Sequence, residues 1–464
     1  MRAAGADTLE MNSIVLAKVL RFMKDIERPE AVSVLAKHTP HSAYPLRITL
    51  TAVLLGTLVA LSANAGFYNS SMVDVFMAMA LGGAVVILLV VQPSWINLGS
   101  VAVGGLALAG IDYRLLGFPP KLIAAFSFAG MSGLAVLGTR AIWTGNQHDP
   151  NLSHDQDRKL FLYAFLPSVL FVASEYMAST LLDTTEALHP KTFDLYLYSF
   201  DCSLRVQLSF LVGQIFARHL WFRFAGLLFY IALPLPLALV YAAHLRQRSK
   251  AALAVMLAFL VTGPLGVVFY NLVPATGPVH IFGPNFPWHP LLLSQARNLL
   301  LETIPVKAPR NAIPSLHMAW VLLVWWNSRG LARWIRAIAL AFVIFTVLAT
   351  LGTGEHYFVD LVVAFPFALM VQALCQYSLP FRTGPRREAF LFGSFASLGW
   401  MALLSFATPL AWISPIVPWV LVAATIASTI LVMHHLQRSQ LGTNGNDNEP
   451  GEIARSAAVG TSQS

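Results

Sequence analysis

The amino-acid sequence predicts an all-α protein, a polytopic bundle of membrane helices. Of its 464 residues, 56% are hydrophobic and 11% charged. Soluble domains carry about 25% charged residues, so these charges are too few to cover the apolar surface of a water-soluble fold. Apolar stretches near the roughly 20 residues needed to cross the hydrocarbon recur along the chain. Basic residues fall in short loops and in the N-terminal segment, as the positive-inside rule expects. That placement accounts for the net charge of +8. Nucleic-acid binding is set aside, since no basic stripe accompanies a nucleic-acid fold motif.

Residues 1–45 read as a cytoplasmic leader. Ile14, Val15, Val19, Phe22, Met23 and Ile26 recur at near-helical spacing among Lys18, Arg21 and Lys24, which suits either an amphipathic surface helix or a loosely structured arm. Spans are expected at 48–66, 72–92, 97–112, 121–141 and 159–180, an accessory bundle within 46–185. Five more follow in 190–380, at 222–245, 250–270, 314–328, 333–352 and 357–377, and two in 386–435, at 389–408 and 411–433. The total is about 12. Residues 436–464, rich in Ser, Gly, Asn and Glu, should be a disordered cytoplasmic tail. Cys202 and Cys375 form no disulfide framework and read as small buried hydrophobes.

Phe193–His219 is apolar yet carries Asp201, Arg205, Gln207 and Gln214. Basic loops at Arg246–Lys250, Arg329–Arg336 and Arg382–Arg387 share the leader's side of the membrane only if this stretch does not cross. It is read as one helix lying in the outer interface, completing a six-helix core; the other reading is a span with a buried Asp201–Arg205 pair.

The chemistry gathers on the opposite, outer side. The loop Asn271–Ile313 holds seven prolines, which restrict the chain as a shaped lid would. It ends in Arg310-Asn311-Ala312-Ile313-Pro314-Ser315-Leu316-His317. One helical hairpin later comes Gly352-Thr353-Gly354-Glu355-His356-Tyr357-Phe358-Val359-Asp360. The two histidines therefore return to one side of the bilayer at similar depth. Asp360 at i+4 can orient one imidazole nitrogen of His356 and leave the other basic. His317 supplies an acid for a departing oxygen. Pro314 and Ser315 suit a helix start, which binds anions, and Arg310 lies close enough in sequence to reach a phosphate oxygen. Such a phosphoryl-transfer site calls for no metal and no cofactor. His280 and His289 in the loop are further residues that could line it.

At these residues the chain resembles the type 2 phosphatidic acid phosphatase superfamily, over roughly 195–380. The family's Pro-Ser-x-His element reads Pro314-Ser315-Leu316-His317, and its His-x-x-x-Asp element reads His356-Tyr357-Phe358-Val359-Asp360. Leu316 and the His356-Tyr357 pair resemble the branch containing the inositol phosphorylceramide synthases; ordinary lipid phosphatases have Gly in the first element. The resemblance implies that His356 forms a phosphohistidine, Asp360 orients it and His317 protonates the leaving group. Two departures stand out: Ala349-Thr350 replaces the family's Ser-Arg, and the Lys and Arg-Pro of its first motif have no literal match. Arg310 is the first candidate for the phosphate cradle beside Ser315, with Lys307 and then Arg297 behind it.

The expected activity is a metal-independent phosphatase or phosphotransferase acting on a membrane lipid phosphate at the outer leaflet. Its second substrate would be water or a lipid or polyol hydroxyl. The alternatives are a multi-span transporter and a non-catalytic scaffold with a vestigial site. Intact paired motifs, titratable residues gathered at one face and no repeat between the halves weigh against both.

Overall fold

The computed structural model describes residues 72–92, 94–116, 122–145, 154–247, 251–382 and 384–446. The expected leader, the span at 48–66 and the last part of the tail lie outside the described residues. Helices α1 (Met72–Val91), α2 (Trp95–Leu116), α3 (Leu122–Gly145) and α4 (His154–Leu188) coincide with the second to fifth expected spans. Helix α1 packs on α3, on α4 and on α8 (Pro234–Arg246), so the first bundle is joined to the second.

After α4 the two-residue strand Lys191–Thr192 pairs antiparallel with Ile304–Pro305, which fixes the long loop against the end of the accessory bundle. The stretch expected as one interfacial helix is instead two, α5 (Asp194–Ser203) and α6 (Leu208–Arg218). The helix stops where Arg205 takes φ 64°, a left-handed conformation. Helix α5 is not a surface element, since Asp194 and every residue from Leu197 to Ser203 are buried. Only α6 has a wet or lipid-facing side, with Leu211 and Ile215 exposed and Phe210 and Phe216 buried. Asp201 and Arg205 do not pair: Arg205 lies over the Trp412 ring, 5.4 Å from its centroid.

Helices α7 (Leu220–Ile231) and α8 meet at a bend of 46°. Pro234 and Pro236 open α8, and lacking N–H groups they cannot continue the ladder of α7. Next come α9 (Ala251–Leu272), the loop with its short helices α10 (Pro278–Phe282) and α11 (Leu293–Arg297), α12 (Leu316–Asn327), α13 (Arg333–Gly352), α14 (Phe358–Cys375), α15 (Gly384–Phe406) and α16 (Ile416–Asn446). Among the described residues, five helices are long and apolar enough to cross a membrane: α9, α13, α14, α15 and α16. They are six if α7 and α8 form one bent span. Such a set fits a multi-pass membrane protein; the described residues do not confirm the expected count of about 12. Helix α12, expected to span, has 12 residues; at about 1.5 Å per residue it falls well short of the hydrocarbon thickness.

The centre of the second bundle is α14, whose apolar span is 83% buried. It packs on α9, α12, α15 and α16. Its C-terminal carbonyls are capped by the buried Arg386, which donates to Ala373 O (2.8 Å) and Leu374 O (2.8 Å). Basic guanidinium groups suit that end of a helix. At the same end, His244 Nε2 bonds Asn327 O at 2.7 Å and Gln437 Nε2 donates to Trp326 O at 3.0 Å. The tail expected to be disordered from residue 436 therefore begins as helix. Leu436 is fully buried and Gln437 satisfies a carbonyl of α12, so tertiary contacts outweigh the polar composition there. Cys202 and Cys375 are free and buried.

Candidate active site

The turn between α13 and α14 presents His356 at the end of the bundle away from the basic loops. Gly277, at φ 119°, lies against this turn so closely that a Cβ would meet Glu355 O at 2.3 Å. Val279 N donates to Gly354 O at 2.9 Å. The proline-rich loop is thereby fastened directly to the residues flanking His356.

The His356 side chain is 2% exposed. Its Nδ1 sits 2.9 Å from Ala312 O and 3.5 Å from Asp360 Oδ2. A carbonyl oxygen can only accept, so Nδ1 carries the proton and Nε2 of the neutral ring keeps its lone pair. Nε2 faces Ser315 Oγ at 3.3 Å. Sequence reasoning gave the orienting role to Asp360 alone; the main-chain carbonyl of Ala312 is the nearer partner. Asp360 has a second duty, because its Oδ2 accepts Tyr357 N at 2.7 Å, which satisfies a donor at the start of α14.

Two further buried carboxylates hold the same turn. Asp201 accepts from Phe358 N (2.6 Å) and Val359 N (3.0 Å). Asp194 accepts from the Tyr357 hydroxyl (2.9 Å), Gly277 N (2.8 Å), and Thr276 N and Oγ1 (both 3.1 Å). Ser209 donates to His356 O at 2.9 Å. Helices α5 and α6 thus form a cradle for the residues around His356. Sequence reasoning missed Asp194 and read Asp201 as a polar position of an interfacial helix, with a pair to Arg205 only as the alternative. The available signal was two acids seven residues apart, on one helical face of an apolar stretch.

His317 opens α12, whose N-cap is Ser315; the hydroxyl accepts Met318 N at 3.4 Å. Ser315 N donates to Asp360 O at 3.2 Å, tying the starts of α12 and α14 together. The His317 ring stacks on Tyr230 with centroids 3.8 Å apart and planes at 15°. Trp320 stands edge-on to it at 5.6 Å. The two histidines lie within electrostatic reach of each other.

The first of the three cations expected near phosphate spends its side chain on main-chain carbonyls. Arg310 is fully buried, and its guanidinium donates to main-chain carbonyls: His189 O at 2.8 Å, Val306 O at 2.9 Å, and Ala308 O. Its own N–H donates to Thr185 Oγ1 at 2.9 Å. Arg310 therefore knits the loop to the end of α4, and burial pushes its pKa down. Lys307 and Arg297 are exposed. At Ala349-Thr350, Ala349 is fully buried and Thr350 donates within its own helix to Thr346 O at 2.8 Å. Beside the turn, His280 Nε2 pairs with Glu355 Oε2 at 3.4 Å, both side chains about a third exposed. The hydrogen bond from Glu355 raises the His280 pKa.

This is the set of elements that a family comparison also selects. Residues 195–374 match the family model of the PAP2 superfamily. The matched segment runs from the first turn of α5 to the end of α14, and it contains Asp201, Ser315, His317, His356 and Asp360. Neither the curated proteins nor the solved structures contain a match to the chain. This likeness of the segment to the PAP2 superfamily suggests phosphatase or phosphotransferase activity on lipid phosphate.

Proposed function

We propose that the protein transfers or hydrolyses the phosphate of a membrane lipid through a covalent phosphohistidine on His356. The observation that carries this reading is the two-sided environment of that ring: Nδ1 on a carbonyl and a carboxylate, Nε2 left with its lone pair beside Ser315. Nε2 attacks phosphorus; the P–N bond forms as the P–O bond to the leaving alcohol breaks, and His317 gives that oxygen its proton. The acceptor oxygen then attacks phosphorus, returns its proton to His317, and frees His356. Asp360 offsets the positive charge that the imidazole develops.

The chemistry needs no metal, because protonation by His317 answers the charge on the leaving oxygen and the α12 start that on the non-bridging oxygens. Transfer in the manner of an inositol phosphorylceramide synthase is favoured over hydrolysis by Leu316 and the His356-Tyr357 pair. With the basic loops on the cytoplasmic side, both termini are cytoplasmic and the site faces the outer leaflet. Purified protein in detergent should turn over a panel of lipid phosphates with a chelator present. Release of inorganic phosphate marks a phosphatase, and a new phosphodiester marks a transferase. Turnover that stops on chelation, or survives His356→Ala, would contradict the proposal.

A further inference from the structure

We propose that Tyr230 is a positioning residue for His317, fixing the plane in which the proton is delivered to the leaving oxygen; this rests on the phosphohistidine reading above. The Tyr230 ring covers one face of the imidazole, with centroids 3.8 Å apart and planes at 15°. Trp320 stands edge-on to the same imidazole. It is itself held from behind, stacked on Phe259 at 5.0 Å with its Nε1 donating to Phe259 O at 3.3 Å.

Stacking on one face fixes the plane of the imidazole, and a proton leaves its nitrogen in that plane. Stacking also favours the ring more when it carries the proton, since an aromatic face attracts a cation. The clamp thus acts on the form of His317 that serves as the acid. The approach of Tyr230 is fixed by the fold. It lies in the last turn of α7, just before the bend into α8, and one turn earlier Gly226 lets the helix close on Phe216, where a Cβ would come within 2.6 Å.

The test compares single-turnover phosphorylation of His356 from an alkyl phosphate and an aryl phosphate. The alkyl oxygen needs a proton to depart, while the aryl oxygen leaves without one. Removing the ring (Tyr230→Leu, with Tyr230→Met should Leu fail to fold) should slow the alkyl ester about ten-fold or more and the aryl ester less than about three-fold, against the 10²–10⁴ that acid catalysis supplies. Tyr230→Phe, which keeps the stack, should restore the alkyl rate. Equal slowing of both esters, no slowing of either, or a Phe variant as slow as Leu would overturn the positioning role. Absence of label on His356 in the unmodified protein would instead overturn the phosphohistidine reading on which it rests.

Discussion

The carboxylate of Asp201 holds the amide of Phe358 at 2.6 Å, a contact between the buried helix α5 and the first turn of the helix that follows His356. The same carboxylate takes Val359 N at 3.0 Å. It does for α14 what a local N-cap residue does elsewhere, satisfying donors that have no intrahelical partner. The position of His356 is thus set by residues more than a hundred positions upstream.

Replacing Asp201 tests that relationship. Alanine would leave two buried N–H groups without an acceptor, at about 1–3 kcal/mol for an orphaned group. Asparagine keeps one acceptor oxygen. The apparent melting temperature in detergent should fall in the order wild type, Asn, Ala, with kcat falling alongside while KM moves little. An Ala variant that melts with the wild type would refute the capping role.

Arg310 should behave as a fold residue rather than as part of a phosphate cradle. Lysine in its place cannot reach the carbonyls of His189, Val306 and Ala308 together. Arg310→Lys should lower the melting temperature, with a cost of about 1–3 kcal/mol for unsatisfied buried groups. Inhibition by inorganic phosphate should stay within about two-fold of wild type. A large loss of phosphate affinity with unchanged stability would restore the cradle role.

The His280–Glu355 pair predicts a pH effect at the loop. Glu355 raises the His280 pKa above its ordinary 6.5. The stabilisation is therefore complete below the ordinary histidine pKa and is lost as pH rises through the raised value. Hydrogen exchange of residues 278–290, corrected for the intrinsic rate, should increase across that interval. Glu355→Gln should abolish the pH-dependent step. A step that persists in that variant would exclude the pair as its source.

Much of this was readable from the chain. Apolar spacing located α1, α2, α3, α9, α13 and α14 within a few residues, and Pro314-Ser315 marked the start of α12 through proline tolerance and N-capping. His356 and Asp360 at i, i+4 gave the correct neighbours. What escaped was tertiary in origin. A carbonyl such as Ala312 O carries no sequence signature, yet it is the closest partner of His356 Nδ1. Asp201 looked like a polar position of a surface helix, and Asp194 drew no notice, because their amide and hydroxyl partners lie in a distant turn. Arg310 looked free for phosphate because the carbonyls that engage it belong to the end of α4 and to its own loop. The stacking of Tyr230 on His317 depends on the bend after α7, which prolines suggest but do not aim.

In the proposed reaction His356 Nε2 becomes covalently bonded to phosphorus. Acid-labile, base-stable phosphate should appear on the wild-type protein when a labelled lipid phosphate is mixed and quenched within a turnover, and peptide mapping should place it on His356. His356→Ala should give none, whereas His317→Ala, which retains the nucleophile, should still label from an aryl phosphate. Label that persists in His356→Ala, or rapid turnover of wild type with no phosphoenzyme at any time point, would contradict the account.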